Sequence, residues 1–176
     1  NAPANKLIPL PEADPQQLAM LTVNPPTASL LLSQFVELKA GEWVIQNAAN
    51  SGVGSYLIQL AKLRGFKTIN VVRRESAVAG VEAEGGDVVL VDGPDLAKRV
   101  RAATGGAAVR LGIDAVGGEA TDHLAASLCD GGVLVNYGMM SRQPCQVSPS
   151  SFVFRDVSLR GFWLAKWFQN ANQAEQ

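Results

Sequence analysis

The sequence predicts an α/β fold: a doubly wound sheet of six parallel strands in the order 3-2-1-4-5-6, with helices on both faces. Three observations predict it. Short runs rich in Val, Ile and Leu recur along the 176 residues. Segments of about ten residues with helical apolar spacing separate them. Glycines punctuate the joins, at Gly41, Gly65, Gly105-Gly106 and Gly131-Gly132. The composition, 47% hydrophobic and 18% charged, suits one domain with a buried core rather than a disordered chain.

Taken in order, residues 1–22 read as a linker and lead-in segment broken by Pro3, Pro9, Pro11 and Pro15, and residues 23–176 as the folded domain. Within the lead-in, Asp14-Pro15 signals a helix start for 14–21. Asn24-Pro25-Pro26 opens a second helix, whose apolar spacing carries it to Leu38 before Gly41 stops it. The chain then alternates. Strands are expected at 43–48, 67–72, 87–91, 109–116, 131–138 and 157–163. Helices are expected at 52–65, 76–84, 94–104 and 118–128, with a short turn at 150–156 and a last helix from Leu164.

Charge and cysteine usage exclude several classes. Fifteen basic and sixteen acidic residues give a net charge of −1, with no basic stripe to hold nucleic acid or an anionic membrane surface. No apolar run approaches the roughly 20 residues of a membrane span. Cys129 and Cys145 are lone thiols. His123, the one histidine, completes no recognised zinc spacing with them, so no metal ligands are expected. A reducing compartment, most simply the cytoplasm, fits these thiols. Asp92 and Asp114 end expected strands and read as turn or helix caps.

The chemistry concentrates after the first strand. Val44 to Gly54, VIQNAANSGVG, has the layout of the phosphate-binding pattern G-x-G-x-x-G, with Ala49 and Ser51 at its first two glycine positions and Gly54 at its third. Helix N-termini leave amides unpaired and carry positive potential, so small residues there let a pyrophosphate approach. By itself this stretch is equally an ordinary strand–helix turn. The end of the second strand adds Arg73-Arg74, followed by Glu75. An acidic residue there holds the ribose 2′-hydroxyl of NAD. Two guanidinium groups instead suit a 2′-phosphate, which points to NADP(H).

The segments VNPPTA, VIQNAANSGVG, INVVRRE, DAVGGEAT, VNYGMMSRQP and LRGFWLAKW, in this order and spacing, resemble the medium-chain dehydrogenase/reductase superfamily. The similarity is greatest to its zinc-independent 2-enoyl thioester reductases, with quinone reductase-like proteins next. It implies a Rossmann fold that binds NADP(H). Asn24 then approaches the cofactor, Asn50, Ser51, Gly52 and Val53 bind its phosphates, and Arg73, Arg74 and Glu75 lie at the 2′-phosphate. Tyr137, Gly138, Met139, Met140, Phe162, Trp163 and Leu164 line the nicotinamide end. It further implies reduction of an activated C=C bond, most simply in a 2-enoyl thioester. A quinone reductase or a non-catalytic NADPH sensor is the alternative. A homodimer through the sixth strand is also implied. The chain departs from the superfamily in having no four-cysteine zinc lobe. The substrate domain that supplies a catalytic tyrosine and the closing helices are expected to lie outside this chain. No catalytic residue is assigned within it, and neither Tyr56 nor Tyr137 stands in for that tyrosine.

Overall fold

The computed structural model describes residues 10–172, so Pro3, Pro9 and the expected end of the last helix at Gln173 lie outside the described residues. Asp14 caps α1 (Pro15–Met20), its Oδ1 accepting from the Gln16 amide at 2.8 Å. In α2 (Asn24–Leu31) the two prolines occupy the first turn, where no intrahelical amide is needed.

The expected continuation of α2 to Leu38 is corrected. The helix ends at Leu31, and side chains take the Ser29 carbonyl of its last turn. The Arg64 guanidinium donates to the Ser29 carbonyl at 3.1 Å and to Ser29 Oγ at 2.6 Å. The apolar residues that simulated a longer helix pack instead as an irregular segment. Val36 is buried, and Phe35 meets Phe162 edge to face at 6.0 Å between ring centroids.

The remaining elements are β1 (Trp43–Gln46), α3 (Gly52–Leu63), β2 (Lys67–Val72), a 3₁₀ turn (Glu75–Ala77) running into α4 (Val78–Ala83), β3 (Val88–Val91), α5 (Leu96–Thr104), β4 (Val109–Asp114), α6 (Glu119–Ser127), β5 (Val133–Asn136), α7 (Pro149–Phe152), β6 (Ser158–Gly161) and α8 (Leu164–Asn170). β2 has its expected bounds, while the other strands are one to four residues shorter than expected, β1 and β4 at their ends, β3 at its start, and β5 and β6 at both ends. The six strands form one sheet ordered β3-β2-β1-β4-β5-β6, as the sequence predicts. Every pairing is parallel. The order reverses between β1 and β4, and the crevice outside the carboxyl ends of those two strands is where this architecture binds ligands.

The strand alternation sorts the core onto two faces. Val44, Leu111, Ile113 and Val135 pack with Ala28, Leu31, Leu57 and Ala61 of α2 and α3. Ile45, Ile69, Val71 and Leu134 pack on the other face with Leu96, Val100, Leu124 and Leu128 of α5 and α6. Full burial of each Leu or Ile contributes about 1.5–3 kcal/mol. That second face packs tightly at Gly112 in β4, where a Cβ would come 2.7 Å from Leu134 Cδ1.

Candidate nucleotide site

The turn after β1 is built from its backbone outward. Ala48 takes a left-handed conformation, φ +48°, and the chain doubles back through a Ser51 N–H to Ala48 carbonyl bond of 2.9 Å. Ser51 caps α3, its Oγ accepting from the Gly54 amide at 3.2 Å. Gly52 and Val53, the first residues of α3, have no helical carbonyl behind them, so their amides face out of the helix end.

The small residues have separate reasons. Ala49 is fully buried against Ile58, Val72 and Val81. A Cβ on Gly54 would overlap the Ala49 carbonyl, so only glycine lets α3 lie this close to β1. A Cβ on Gly52 would overlap the amide of Asn24, which places Asn24 of α2 directly over the turn. The predicted residues Asn24, Asn50, Ser51, Gly52 and Val53 thus come together from two helices and one loop.

Two clefts flank this turn. The first, about 410 Å³, lies at the ends of β2, β3 and β4 and is lined by Asn50, Arg73, Arg74, Asp92, Val116 and Met140 among others. The second, about 480 Å³, is lined by Val53, Tyr137, Phe162, Trp163 and Leu164, with Thr27 of α2. Gly138 and Met139 line a shallower recess beside it, shared with Tyr137 and Trp163. The turn sits between the clefts, giving Asn50 to one and Val53 to the other. A larger cleft of about 720 Å³ lies between α5 and α6, lined by Lys98, Arg101 and Arg155, and none of the predicted site residues reaches it.

Arg73 and Arg74 leave the end of β2 exposed to solvent, and neither forms an ion pair among the described residues. Their charge is therefore free for an anion in the first cleft. Glu75 begins the 3₁₀ turn that directly follows the guanidinium pair.

Beneath the turn lies a set of buried polar side chains that sequence reasoning missed, apart from Asp114. The Gln46 amide donates to the Gly54 carbonyl at 3.1 Å and to Asn70 Oδ1 at 2.9 Å, tying the first turn of α3 to β1 and β2. Asp114, at the end of β4, is fully buried. It caps a turn as expected, accepting from the Val116 and Gly117 amides at 2.8 and 3.1 Å. It also accepts from Asn47 at 2.6 Å, Thr121 at 2.7 Å and Asn136 at 3.0 Å. Asn136 passes the linkage on to the Gly138 carbonyl at 2.8 Å, next to the predicted Met139 and Met140. The visible signal was a polar residue inside or just after an apolar run, as in VIQN, TINV and GID.

Burial pushes the Tyr137 phenol up to about 12, with a side-chain hydrogen bond to Ser51 opposing the shift and the negative charge of Asp114 adding to it. The Tyr56 hydroxyl donates outward to Gln17 at 3.0 Å. Among the described residues no group of three or more His, Cys, Asp or Glu comes together that could hold a metal ion.

Residues 52–176 match the family model described as zinc-binding dehydrogenase. The mitochondrial enoyl-acyl-carrier-protein reductase of Dictyostelium discoideum is 42% identical over 169 residues, which are 92% of this chain and 47% of that protein. A mitochondrial 2-enoyl thioester reductase heterodimer from Candida tropicalis, Etr1p/Etr2p, superposes with a TM-score of 0.85 at 29% identity, covering 93% of this chain and 48% of that one. Etr1p in complex with NADP and crotonyl-CoA superposes at 0.82 with 30% identity, covering 90% and 46%. The chain spans about half the length of the relatives it matches. The family match over residues 52–176, the shared fold and this extent of identity have one explanation: the chain belongs to the zinc-binding dehydrogenase family of the medium-chain dehydrogenase/reductase superfamily, among proteins resembling the enoyl thioester reductases.

Proposed function

We propose that this chain is the dinucleotide-binding part of an NADPH-dependent oxidoreductase that reduces the C=C bond of a 2-enoyl thioester. The observation that carries the reading is the first cleft. Two guanidinium groups without ion partners share it with Asn50 of a glycine-tight turn that presents the outward amides of Gly52 and Val53. That arrangement suits two phosphates at different points of one ligand. The names of the relatives support the choice of substrate, since they are enoyl reductases and one was solved with NADP and crotonyl-CoA.

In this reading the Gly52 and Val53 amides hold the pyrophosphate, and Asn24 closes over it from α2. Arg73 and Arg74 take the 2′-phosphate. Val53, Tyr137, Phe162, Trp163 and Leu164 wall the nicotinamide end, with Gly138 and Met139 along its rim, while Met140, expected there too, lines the first cleft instead. Bound NADPH supplies a hydride to the β-carbon of the alkene, and the matching proton comes from outside this chain. Residues 23–176 form the dinucleotide domain. A substrate domain and closing helices belong to the rest of the protein. The outer edge of β6 pairs with a second copy of the chain. The free thiols Cys129 and Cys145 suit a reducing compartment, with the cytoplasm the simplest, although the relatives carry a mitochondrial label in their own names.

The experiment is a titration of the protein with NADPH and NADH, repeated with Arg73→Ala/Arg74→Ala. Two charge-assisted contacts predict a preference for NADPH of about a hundredfold, lost in the double variant. A wild-type protein without that preference refutes the 2′-phosphate assignment. Turnover of crotonyl thioester against benzoquinone by the full-length protein then fixes the substrate class. Quinone turnover alone would make it a quinone reductase. Binding without either turnover would make it a sensor.

A further inference from the structure

The first cleft contains one carboxylate, and the function above leaves it unused. Asp92 follows β3, and its amide continues the ladder by donating to the Val72 carbonyl at 2.8 Å. Its Oδ1 accepts from the Gly93 amide at 2.9 Å and lies 2.8 Å from Nδ1 of His123 in α6. Both partners hold the same oxygen. Oδ2 has no hydrogen bond among the described residues, and the Asp92 side chain remains 29% exposed. The carboxyl group is thus clamped through one oxygen while the other has no partner among the described residues, and Asp92 lines a cleft whose remaining walls include Val72, Ala77 and Val116.

The argument rests on the proposed NADPH site. If Arg73 and Arg74 hold the phosphate on the adenosine ribose, the base attached to that ribose falls in the same cleft. A purine is flat and apolar on its faces, which suits Val72, Ala77 and Val116. Its edge is polar. Adenine presents an exocyclic amino group, a donor, at its 6-position. A 6-oxo purine presents an acceptor there instead. A carboxylate oxygen accepts only, so one facing position 6 attracts the amino group and repels the oxo group, and it meets the N1–H donor of a 6-oxo purine only if the ring shifts by one position.

We propose that Asp92 reads the 6-amino group of adenine and makes the site selective for adenine over 6-oxo purine dinucleotides, with His123 as a positioning residue that fixes the carboxyl rotamer. Sites built to hydrogen-bond one group reject the analogue lacking it, because the polar partner is then left unmatched, and the partial exposure of Asp92 lets water soften that rejection.

The test is a binding titration of the purified protein with NADPH and with its 6-oxo analogue, nicotinamide hypoxanthine dinucleotide phosphate. The expected wild-type result is affinity for NADPH at least about tenfold above that for the analogue. Asp92→Asn, whose amide can donate to a 6-oxo group, is expected to bring the ratio to within about threefold by weakening NADPH and strengthening the analogue. His123→Phe leaves the carboxylate but loosens it, so the ratio should shrink in the same direction by less. The ratio is read on one protein sample at a time, so partial unfolding of a variant does not mimic the effect. Equal affinity of the wild type for both ligands, or an unchanged ratio in Asp92→Asn, overturns the inference while leaving the NADPH site standing. Failure of the wild type to bind either ligand overturns both.

Discussion

Replacing Asp114 by alanine removes the acceptor for five donors at once: the Val116 and Gly117 amides and the side chains of Asn47, Thr121 and Asn136. Asn136 keeps its bond to the Gly138 carbonyl, so the other four donors lose the acceptor they use. Asp114 is fully buried, and each buried unsatisfied donor costs about 1–3 kcal/mol. Part of that is recovered if water enters the space left by the carboxyl group, so the expected loss is about 3–5 kcal/mol. For a domain of this size the melting temperature should fall by roughly 10 °C. Asp114→Asn keeps one oxygen for the donors on Oδ1 and opposes an amide to Asn136, so its loss should be about 1–2 kcal/mol. Urea unfolding followed by circular dichroism measures both. An alanine variant within 1 kcal/mol of wild type, or one more stable than the asparagine variant, would refute the view that this carboxyl group organises the carboxyl edge of the sheet.

Two further predictions concern the edges of that site. Tyr137 resists ionisation up to a pH of about 12 when folded, against 10.0 for an ordinary tyrosine. As pH rises through that interval the unfolded chain gives up the proton and the folded one keeps it, so the stability present below pH 10 is lost on the way to 12. Tyr137→Phe should lack this loss, and the stability gap between the two proteins should shift by about 1–2 kcal/mol between pH 9 and 11.5; a constant gap would contradict the burial argument. β6 has a strand neighbour on one side only among the described residues, and Leu159 on it is 37% exposed, as Phe152, Val153 and Phe154 of the preceding segment are also exposed. The Ser158 and Phe162 amides bond inward, so that of Leu159 faces outward, and sedimentation equilibrium should show a dimer that Leu159→Pro converts to monomer. A wild-type monomer at high concentration would count against pairing through this edge.

The parts of the fold legible in the sequence are those whose cause is local. Most of the strands stand out because each is an apolar run bounded by glycine or polar residues, and α5 ends where Gly105 takes a left-handed φ of +65°. Gly54 was legible because helix-on-strand contact at that position leaves room for nothing larger. The end of α2 was not, because the Arg64 side chain that takes the Ser29 carbonyl lies 35 residues further on. Asp92 and His123 are 31 residues apart, and Asn47 and Asp114 are 67 apart. Periodicity carries no information about such pairs; they follow from which strands are neighbours and in what register.

The missed side chains also explain why the turn can serve as a site. Amides that bind a ligand must have no partner within the protein, yet a turn normally holds its shape by pairing them. Here side chains hold the shape instead. Gln46 fixes the Gly54 carbonyl from below, and Asn47 fixes the Ala115 amide at 2.8 Å while donating to Asp114. Ser51 takes the Gly54 amide. With position secured by these bonds, the Gly52 and Val53 amides stay free at the end of α3. The same division of labour appears across the first cleft, where Gly93 and His123 hold one oxygen of Asp92 and the other has no partner among the described residues. The residues that face the ligand space were legible because they are small, charged or aromatic in exposed segments. The residues that hold them were not, because they are polar groups inside the core, and their partners become apparent only when β1, β4 and β5 lie side by side.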